Sequence, residues 1–326
     1  MPSASSRPGK GETSRGRGLR IVALGLVLLG AAGYVAYHFE QENGPPGAGC
    51  TVRAAGGELS LSVKQAGNAA TVAAVATARG LPERALTIAL ATSLQESRLE
   101  NLDHGDRDSL GLFQQRPSQG WGTERQILDP VYASNVFFDS LVKIKGYTRL
   151  PLTVAAQRVQ RSGYPQAYAK HEADATLLSA ALSGHDAGAL SCTTGADTPY
   201  SAGGRPGSTA AVAALLTREF GAQVAPHADG GQPRTVAVPS APAGGAAEGD
   251  GTRRGWELAQ WAVAHAHDLK VERVAFGGMD WQAAQSAKGW QKQRPAASRT
   301  GGGARTGSSA PVGGRPDGLV LITVAG

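Results

Sequence analysis

Hydrophobic residues recur at helical spacing through most of the segment between the two cysteines of the chain, Cys50 and Cys192. This period, with glycine and proline at the segment ends, predicts five helices. They cover residues 64–79, a second segment that opens with Pro82 in its first turn, and residues 130–145, 152–162 and 165–182. The pattern therefore predicts a mainly α domain over residues 50–192.

Residues 100–122 interrupt this pattern directly after the second helix. They have no apolar period and contain Gly105, Gly111, Gly120 and Gly122. Such a segment favours a loop with a small hairpin. A single carboxylate, Glu96, stands at the end of the apolar run that leads into it.

Helical and strand patterns alternate after the second cysteine. Residues 193–207 have the composition of a linker. The helices are predicted at 209–220 and 256–269, and the strands at 234–238, 271–276 and 318–324. This alternation predicts a small α/β domain over residues 208–326. Two glycine-rich insertions, near 239–253 and 294–316, are expected to be disordered.

The chain begins with a basic segment followed by an uncharged apolar run. Residues 21–37 would rise about 26 Å as a helix, the short end of what spans a bilayer core. The flanking charges orient the amino terminus in the cytoplasm. We therefore predict a cytoplasmic tail (1–20), a transmembrane anchor (21–39) and a linker (40–49) in a single-pass cell-membrane protein with its bulk outside the cytoplasm. A cleaved signal peptide is the alternative.

The formal net charge of +6 over 326 residues comes mainly from the basic tail. Five basic residues and one glutamate among the first twenty leave +2 for the remainder. No nucleic-acid-binding motif accompanies this weak charge, so nucleic acid is not an expected partner. A hydrophobic content of 41% excludes a wholly disordered chain.

The two cysteines bracket the predicted α domain and follow the membrane segment. An oxidising compartment permits a Cys50–Cys192 disulfide, and closing so long a loop stabilises a fold by about 4–5 kcal/mol in the chain-entropy model. Two unpaired buried thiols are the alternative. We predict the disulfide.

Glu96 is a candidate general acid. Cleavage of a glycosidic bond requires a carboxylic acid that is still protonated when it meets the leaving oxygen. Desolvation favours the neutral form of a carboxyl at an apolar helix end. Glu96 follows Ile88, Leu90 and Leu94 and precedes a segment that can shape a groove. A solvated glutamate at the helix end is the alternative.

Two motifs resemble the paired signature of lytic transglycosylases and goose-type lysozymes. They are ALATSLQESRLENL (89–102) and SLGLFQQ (109–115), and ILDPVYASNVFFDSLV (127–142) is similar to the helix that follows the family's cleft. The resemblance covers about residues 64–183 and implies a lysozyme-like fold. It assigns Glu96 as the single catalytic acid and Ser97 as its neighbour. Residues 111–114 would line the sugar cleft, with Phe113 in place of the family's usual Met.

The family's Ala-Tyr-Asn-Ala-Gly segment, whose Asn and Tyr hold the substrate and the acid, has no close match. The corresponding region is AAQRVQRSGYPQAY (155–168), where Gln157 takes the place of the Asn and Tyr164 or Tyr132 supplies a hydroxyl. With Ser97, a polar and aromatic-bearing stretch supplies the remaining expected substrate-binding residues: Gln114, Gln115, Gln119 and Trp121. An ordered loop anchored by a buried tryptophan is the alternative for this stretch.

Three aspartates of the insert, Asp103, Asp106 and Asp108, have several possible roles. One of them would activate water in a hydrolytic reaction. Alternatively they cap turns and pair with Arg107, or bind calcium. No metal site and no cofactor is predicted, because His265 and His267 lie two residues apart on a helix and face different directions.

The segment RVAFGGMDWQAAQSAKGWQ (273–291) resembles a domain attached to actinobacterial wall-active proteins. That domain ends in an Asp-His-x-His strand. Here Asp317 is kept, whereas Gly318 and Val320 stand near the histidine positions. The resemblance therefore implies a binding or packing module.

Together these features predict a membrane-anchored enzyme that faces the cell wall and cleaves peptidoglycan glycan strands. Glu96 would protonate the glycosidic oxygen and then accept a proton from the sugar's own 6-hydroxyl, as in a lytic transglycosylase. A non-catalytic peptidoglycan-binding or envelope adaptor protein that keeps the lysozyme-like cleft is the alternative.

Overall fold

The computed structural model describes residues 47–161, 166–194, 206–241, 250–293 and 318–326. The predicted cytoplasmic tail, the predicted membrane segment and Tyr164 lie outside these residues, as do most of linkers 40–49 and 193–207. About half of the predicted insertion 239–253 and all of the predicted insertion 294–316 also lie outside them. Within the described residues, no helix combines the length and the apolar character needed to cross a membrane.

The described part of the chain contains nine α-helices and nine strands, besides several short 3-10 turns. In chain order they are β1 (Ala48–Ala54), β2 (Gly57–Leu61), α1 (Val63–Ala78), α2 (Glu83–Ser97), α3 (Glu124–Ile127), α4 (Pro130–Leu141), α5 (Leu152–Gln160), α6 (Glu172–Leu182), β3 (Leu190–Thr194), α7 (Thr209–Phe220), β4 (His227–Ala228), β5 (Thr235–Pro239), α8 (Asp250–Ala264), α9 (Ala266–Leu269), β6 (Val271–Phe276), β7 (Met279–Gln282), β8 (Gln291–Lys292) and β9 (Leu319–Val324).

The predicted helices between the cysteines are all present, although several ends differ. A capping box formed by Ser62 and Gln65 starts α1. Pro82 is the cap of α2 and not part of its first turn. Helix α5 ends at a left-handed residue, Arg161. Helix α6 begins only at Glu172, because a short 3-10 turn replaces the start of the predicted 165–182 helix.

A three-stranded sheet that the sequence pattern did not predict joins the two ends of this segment. Its strand order is β2-β1-β3 with antiparallel pairing, and Cys50 lies directly opposite Cys192. The predicted disulfide is confirmed between these two residues. The predicted linkers 40–49 and 193–207 were therefore wrong at these ends, because β1 begins at residue 48 and β3 extends to residue 194.

A six-stranded antiparallel sheet with order β4-β5-β9-β6-β7-β8 forms the basis of the C-terminal part. Its antiparallel pairing corrects the expectation of an α/β layer. Strands β5 and β6 run in the same direction, and α8 lies between them in the chain. The last strand, β9, inserts between them and pairs antiparallel with both. Helix α8 also begins six residues before the predicted start at 256, inside the expected low-complexity insertion.

Helix α1 is buried along nearly its whole length. Its buried residues are mostly small, including Ala66, Ala70 and Ala74. A helix that is apolar on all sides must be surrounded by other elements. Helix α1 packs against α2 and α4 of the 50–192 segment and against α7 and α8 of the 208–326 segment. A single hydrophobic core therefore includes residues from both the 50–192 and the 208–326 segments.

A buried carboxylate connects α1 with α7 and α8. Glu219 on α7 accepts hydrogen bonds from the hydroxyl of Thr71 at 2.8 Å and from the indole Nε1 of Trp261 at 2.6 Å. The Nε2 atom of His265 lies 3.7 Å from the same carboxylate. Burial raises the pKa of Glu219, but His265 and the two hydrogen bonds outweigh burial, and its pKa lies below the usual value.

Strand β3 is also fixed by side chains of the C-terminal part. The amide of Gln260, which is fully buried, accepts from Leu190 N at 2.7 Å and donates to Ala181 O at 2.6 Å. The indoles of Trp281 and Trp290 donate to the carbonyls of Cys192 and Leu190, at 3.2 and 2.9 Å. Strand β3, which carries Cys192, therefore hydrogen-bonds both to β1 of the 50–192 segment and to side chains of the 208–326 segment.

We predict that Glu219→Gln lowers the free energy of unfolding most strongly near neutral pH. The lowered pKa of Glu219 means that its ionised form stabilises the fold above the unfolded-state pKa of about 4.3. This contribution is lost as pH falls through the lower folded-state pKa. Urea unfolding of both proteins between pH 7 and pH 3 measures the difference.

The matched control is Glu58→Gln. Glu58 is exposed and pairs with Arg53, and exposed ion pairs contribute little. A difference between wild type and Glu219→Gln that stays constant over this pH range would contradict the assigned role of the carboxylate.

Candidate functional site

Glu96 lies in the last turn of α2, and its side chain is half-buried. Its Oε1 atom accepts a 2.7 Å hydrogen bond from the hydroxyl of Tyr168, a residue that is fully buried. On the preceding residue, Gln95 Oε1 lies 3.2 Å from His171 Nε2. The segment before α6 therefore covers the end of α2 and supplies a phenol that fixes one oxygen of the candidate acid.

His171 stands in a partly desolvated position beside this group. Burial lowers its pKa, the neighbouring Lys170 lowers it further, and Asp174 opposes both. A lowered pKa favours the neutral imidazole near pH 7. His171 therefore adds a polar, mostly uncharged side chain to the cover of the α2 end.

The backbone directly after Glu96 is strained. Arg98 and Leu99 are consecutive residues other than glycine, and both have left-handed φ angles, 56° and 63°. Two side chains of α1 hold this turn. Gln65 donates to the carbonyl of Arg98 at 2.8 Å, and Asn68 donates to that of Leu99 at 2.7 Å. Strain that surrounding contacts maintain is concentrated at functional sites in proteins.

The second motif is attached directly to α2. The hydroxyls of Ser93 and Ser97 both donate to the carbonyl of Leu112, at 3.1 and 2.8 Å. The ring of Phe113 stacks on that of Phe137 with centroids 4.5 Å apart. Two motifs separated in sequence are thereby held in one fixed arrangement at the end of α2.

A narrow turn carries this second motif. Leu110 and Gln115 exchange two 2.9 Å backbone hydrogen bonds, which form the small hairpin expected in residues 100–122. Gly111 has φ 74°, and a Cβ atom there would lie 2.7 Å from the carbonyl oxygen of Ile127. A glycine is therefore required for the turn to approach α3.

The structure places the predicted substrate-binding residues in different environments. Ser97 and Gln115 are buried, and their side chains donate to backbone carbonyls of Leu112 and Ala133. These contacts serve to position the hairpin. Gln114 is half-buried in the hairpin that carries Leu112, and its Nε2 donates to the carbonyl of Gly111 at 3.3 Å.

The other predicted residues lie further along the chain. Gln119 is exposed at the end of a 3-10 turn, and Trp121 packs partly against the core. Gln157 is half-buried on α5. Among the described residues, none of these three side chains hydrogen-bonds to Glu96. Tyr164 lies outside the described residues, and Tyr132 donates instead to the carbonyl of Trp121 at 3.3 Å.

Tyr168 and Gln160 are the contributions that sequence reasoning missed. Gln160 donates to the carbonyl of Phe113 at 2.7 Å and so supports the second motif from α5. Both residues lie in the stretch 155–168, where the family's Tyr-Asn segment would fall. The presence of a tyrosine in this stretch could have indicated the role of Tyr168. The helix predicted over 165–182 instead placed Tyr168 inside a helix, whereas it precedes a 3-10 turn.

The three aspartates of the insert are held by local partners. Asp103 pairs with His104 at 2.8 Å, and Asp106 pairs with Arg116 at 2.9 Å. Asp108 accepts from the backbone N–H of Ser118 at 2.9 Å. A hydrogen bond from His104 lowers the pKa of Asp103, and hydrogen bonds from Ser118 lower that of Asp108. The expected pairing with Arg107 is replaced by one with Arg116.

Within the ranges that the structure describes, no group of three or more His, Cys, Asp and Glu side chains is placed to hold a metal ion.

Comparison with known proteins gives one match in the C-terminal part. Residues 218–302 match a family model described as VldE, C-terminal domain. This segment includes residues 273–291, whose sequence resembles the domain attached to actinobacterial wall-active proteins. The match lies outside the segment that carries Glu96 and its motifs. No curated protein matches the sequence.

We predict that Ser97→Ala lowers the free energy of unfolding by about 1 kcal/mol. The substitution removes the shorter of the two hydroxyl bonds to the Leu112 carbonyl, while the bond from Ser93 remains. The double variant Ser93→Ala and Ser97→Ala should lose more than the sum of the single variants, because the buried carbonyl then has no hydroxyl partner. Urea unfolding of the three proteins measures this coupling.

Ser60→Ala is the matched control, since Ser60 is exposed on β2 and its hydroxyl remains in contact with water. Strict additivity of the Ser93 and Ser97 effects would contradict a shared role at Leu112.

Proposed function

We propose that this protein is an exported enzyme that cleaves peptidoglycan glycan strands, with Glu96 as its single acid and base. The observation that carries the proposal is the 2.7 Å hydrogen bond from the buried Tyr168 hydroxyl to Glu96 Oε1. It joins a carboxylate predicted from sequence to a tyrosine found independently. The contact lies at the end of helix α2, whose Ser93 and Ser97 also hold the second predicted motif.

Tyr168 serves as a positioning residue in this proposal. Its hydroxyl donates to Oε1, and among the described residues no hydrogen bond reaches Oε2. The phenol fixes the plane of the carboxyl group, which leaves Oε2 to meet a glycosidic oxygen. A catalytic group must lie within hydrogen-bond reach of the atom it protonates, so the fixed orientation is functionally valuable.

The proposed reaction has two proton transfers through one side chain. Protonated Glu96 donates to the glycosidic oxygen as the bond to the anomeric carbon breaks. The resulting carboxylate then accepts a proton from the sugar's 6-hydroxyl, which attacks the anomeric carbon and closes a 1,6-anhydro ring. The atoms balance without water, and Glu96 returns to its protonated form.

The partners of the three aspartates favour this route over hydrolysis. An inverting hydrolase requires a second carboxylate that activates water. Asp106 and Asp108 are engaged with Arg116 and with the Ser118 N–H. These contacts occupy the Oδ2 atom of each aspartate, and the intramolecular route requires no carboxylate other than Glu96.

Two further features support a location outside the cytoplasm. The Cys50–Cys192 disulfide joins β1 to β3, and disulfides persist mainly in oxidising compartments. The apolar run 21–37 with basic residues before it provides an anchor or an export signal. We therefore propose that residues 47–326 face the cell wall.

We predict that Glu96→Gln lowers the rate of muropeptide release from purified peptidoglycan by at least about 100-fold. Glutamine keeps the shape of the side chain but cannot transfer the proton. The full-length protein is incubated with peptidoglycan, and mass spectrometry identifies the soluble products. An anhydro end on the wild-type products is expected.

Glu58→Gln, an exposed substitution of the same kind, should leave the rate unchanged. Equal release by wild type and Glu96→Gln would overturn the assignment. Products without the anhydro ring would assign hydrolysis instead. Wall binding without any release by wild type would favour the non-catalytic adaptor.

We predict that Tyr168→Phe lowers kcat by about tenfold to a hundredfold. Glu96 gains negative charge as it transfers its proton, and a hydrogen bond to a charged group contributes about 1.5–3 kcal/mol. The ring is retained and only the bond to Glu96 Oε1 is lost. KM should change little, because the phenol contacts the acid and not the sugar.

Kinetics with a soluble glycan fragment separate the two parameters, and urea unfolding separates both from stability. Tyr147→Phe is the matched control, because Tyr147 lies on a separate 3-10 turn. A rise in KM with unchanged kcat would contradict a positioning role for Tyr168.

A further inference from the structure

The two faces of the six-stranded sheet differ in chemistry. One face packs into the core through Val236, Ile322 and Val274. On the other face, neighbouring strands place polar residues side by side. The pairings Thr235 with Thr323, Thr323 with Arg273, and Arg273 with Gln282 form one row across β5, β9, β6 and β7.

Arg273 is held in this row by a buried carboxylate. Its Nε donates to Asp280 Oδ1 at 2.6 Å, and Gln282 Nε2 donates to Asp280 Oδ2 at 2.7 Å. The Asp280 side chain is 8% exposed, whereas that of Arg273 is 32% exposed. The carboxylate thus lies beside the guanidinium group on the same face of the sheet and orients it, and the two Nη atoms have no hydrogen-bond partner among the described residues.

A cavity of about 250 Å³ opens above this row. Its walls include Arg234, Thr235, Glu272, Arg273 and Thr323, but not Asp280. The lining therefore carries two guanidinium groups and one carboxylate, and each guanidinium has one acidic neighbour, Glu272 for Arg234 and Asp280 for Arg273.

The cavity walls are themselves fixed. Arg234 Nη1 donates to the carbonyl of Val324 at 2.9 Å and lies 3.5 Å from Glu272 Oε2. The hydroxyl oxygens of Thr235 and Thr323 are 2.9 Å apart. A guanidinium group with its Nε side already occupied presents its remaining nitrogens in a planar fork, which matches the two oxygens of a carboxylate.

We propose that this cavity is a binding site for a small ligand that carries a carboxylate, with Arg273 as the main recognition residue. The volume lies below the usual range for drug-sized ligands, so it suits the carboxyl-terminal residue of a peptide or a similarly small acid. The site does not involve Glu96, and the proposal does not depend on the proposed glycan cleavage.

The test is isothermal titration of the full-length protein with N-acetylalanine, N-acetylalanine amide and inorganic phosphate. Saturable binding of the acid and none of the amide is expected. Equal binding of acid and amide, or no saturable binding of the acid, would overturn the proposal. Tighter binding of phosphate than of the acid would overturn the carboxylate assignment.

Arg273→Lys should weaken binding of the acid at least about tenfold, because lysine keeps the charge but loses the bidentate fork. Thr323→Val, which leaves no buried charge unpaired, is a second variant and should weaken binding through loss of a cavity hydroxyl. Arg149→Lys is the matched control, since Arg149 is exposed on a distant 3-10 turn. Unchanged affinity in Arg273→Lys would overturn the role of Arg273, and unchanged affinity in Thr323→Val as well would overturn the site.

Discussion

The burial of helix α1 is the constraint on which the rest of the structure depends. A helix that is apolar on nearly every side must be enclosed, and small side chains such as Ala66, Ala70 and Ala74 allow its neighbours to approach closely. The segment between the cysteines supplies only part of this enclosure. Helices α7 and α8 complete it, so the packing of the 50–192 segment depends on the C-terminal part.

The same helix connects the core to the candidate site. On one side Thr71 donates to the buried Glu219. On another side Gln65 and Asn68 hold the strained turn that follows Glu96. The geometry at Glu96 therefore rests on α1, whose position in turn rests on packing by α7 and α8. This arrangement gives the C-terminal part a physical role in the site even though it supplies none of the residues proposed for glycan cleavage.

Polar contacts define where each element sits within this apolar frame. Gln260 satisfies its buried amide with backbone groups of the β3 region, and Ser93 and Ser97 share one carbonyl of the second motif. Buried polar groups cost free energy unless they are hydrogen-bonded. Each such group therefore restricts how its element can pack, because most other arrangements would leave the group without a partner. Apolar packing alone would not exclude those arrangements.

The sequence by itself determined most helices, the strand at 271–276, the last strand to within one residue (318–324 predicted, 319–324 observed), and the disulfide. The helices and strands follow from the local spacing of hydrophobic residues and from capping residues. The disulfide follows from the oxidising compartment that the apolar N-terminal run implies. It also identified Glu96 as a candidate acid and residues 111–114 as its companion segment, through spacing and resemblance. How those residues act remains a proposal.

Only the tertiary structure decided the strand order, the pairing of β1 with β3 and the partner of Glu96. Strand β9 lies between β5 and β6 because of long-range hydrogen bonding, which no local period records. Tyr168 reaches Glu96 across 72 positions of sequence, and a helical pattern over its own segment concealed this contact. Local periods report how a residue relates to its neighbours in the chain, whereas a site is formed by residues that packing brings together.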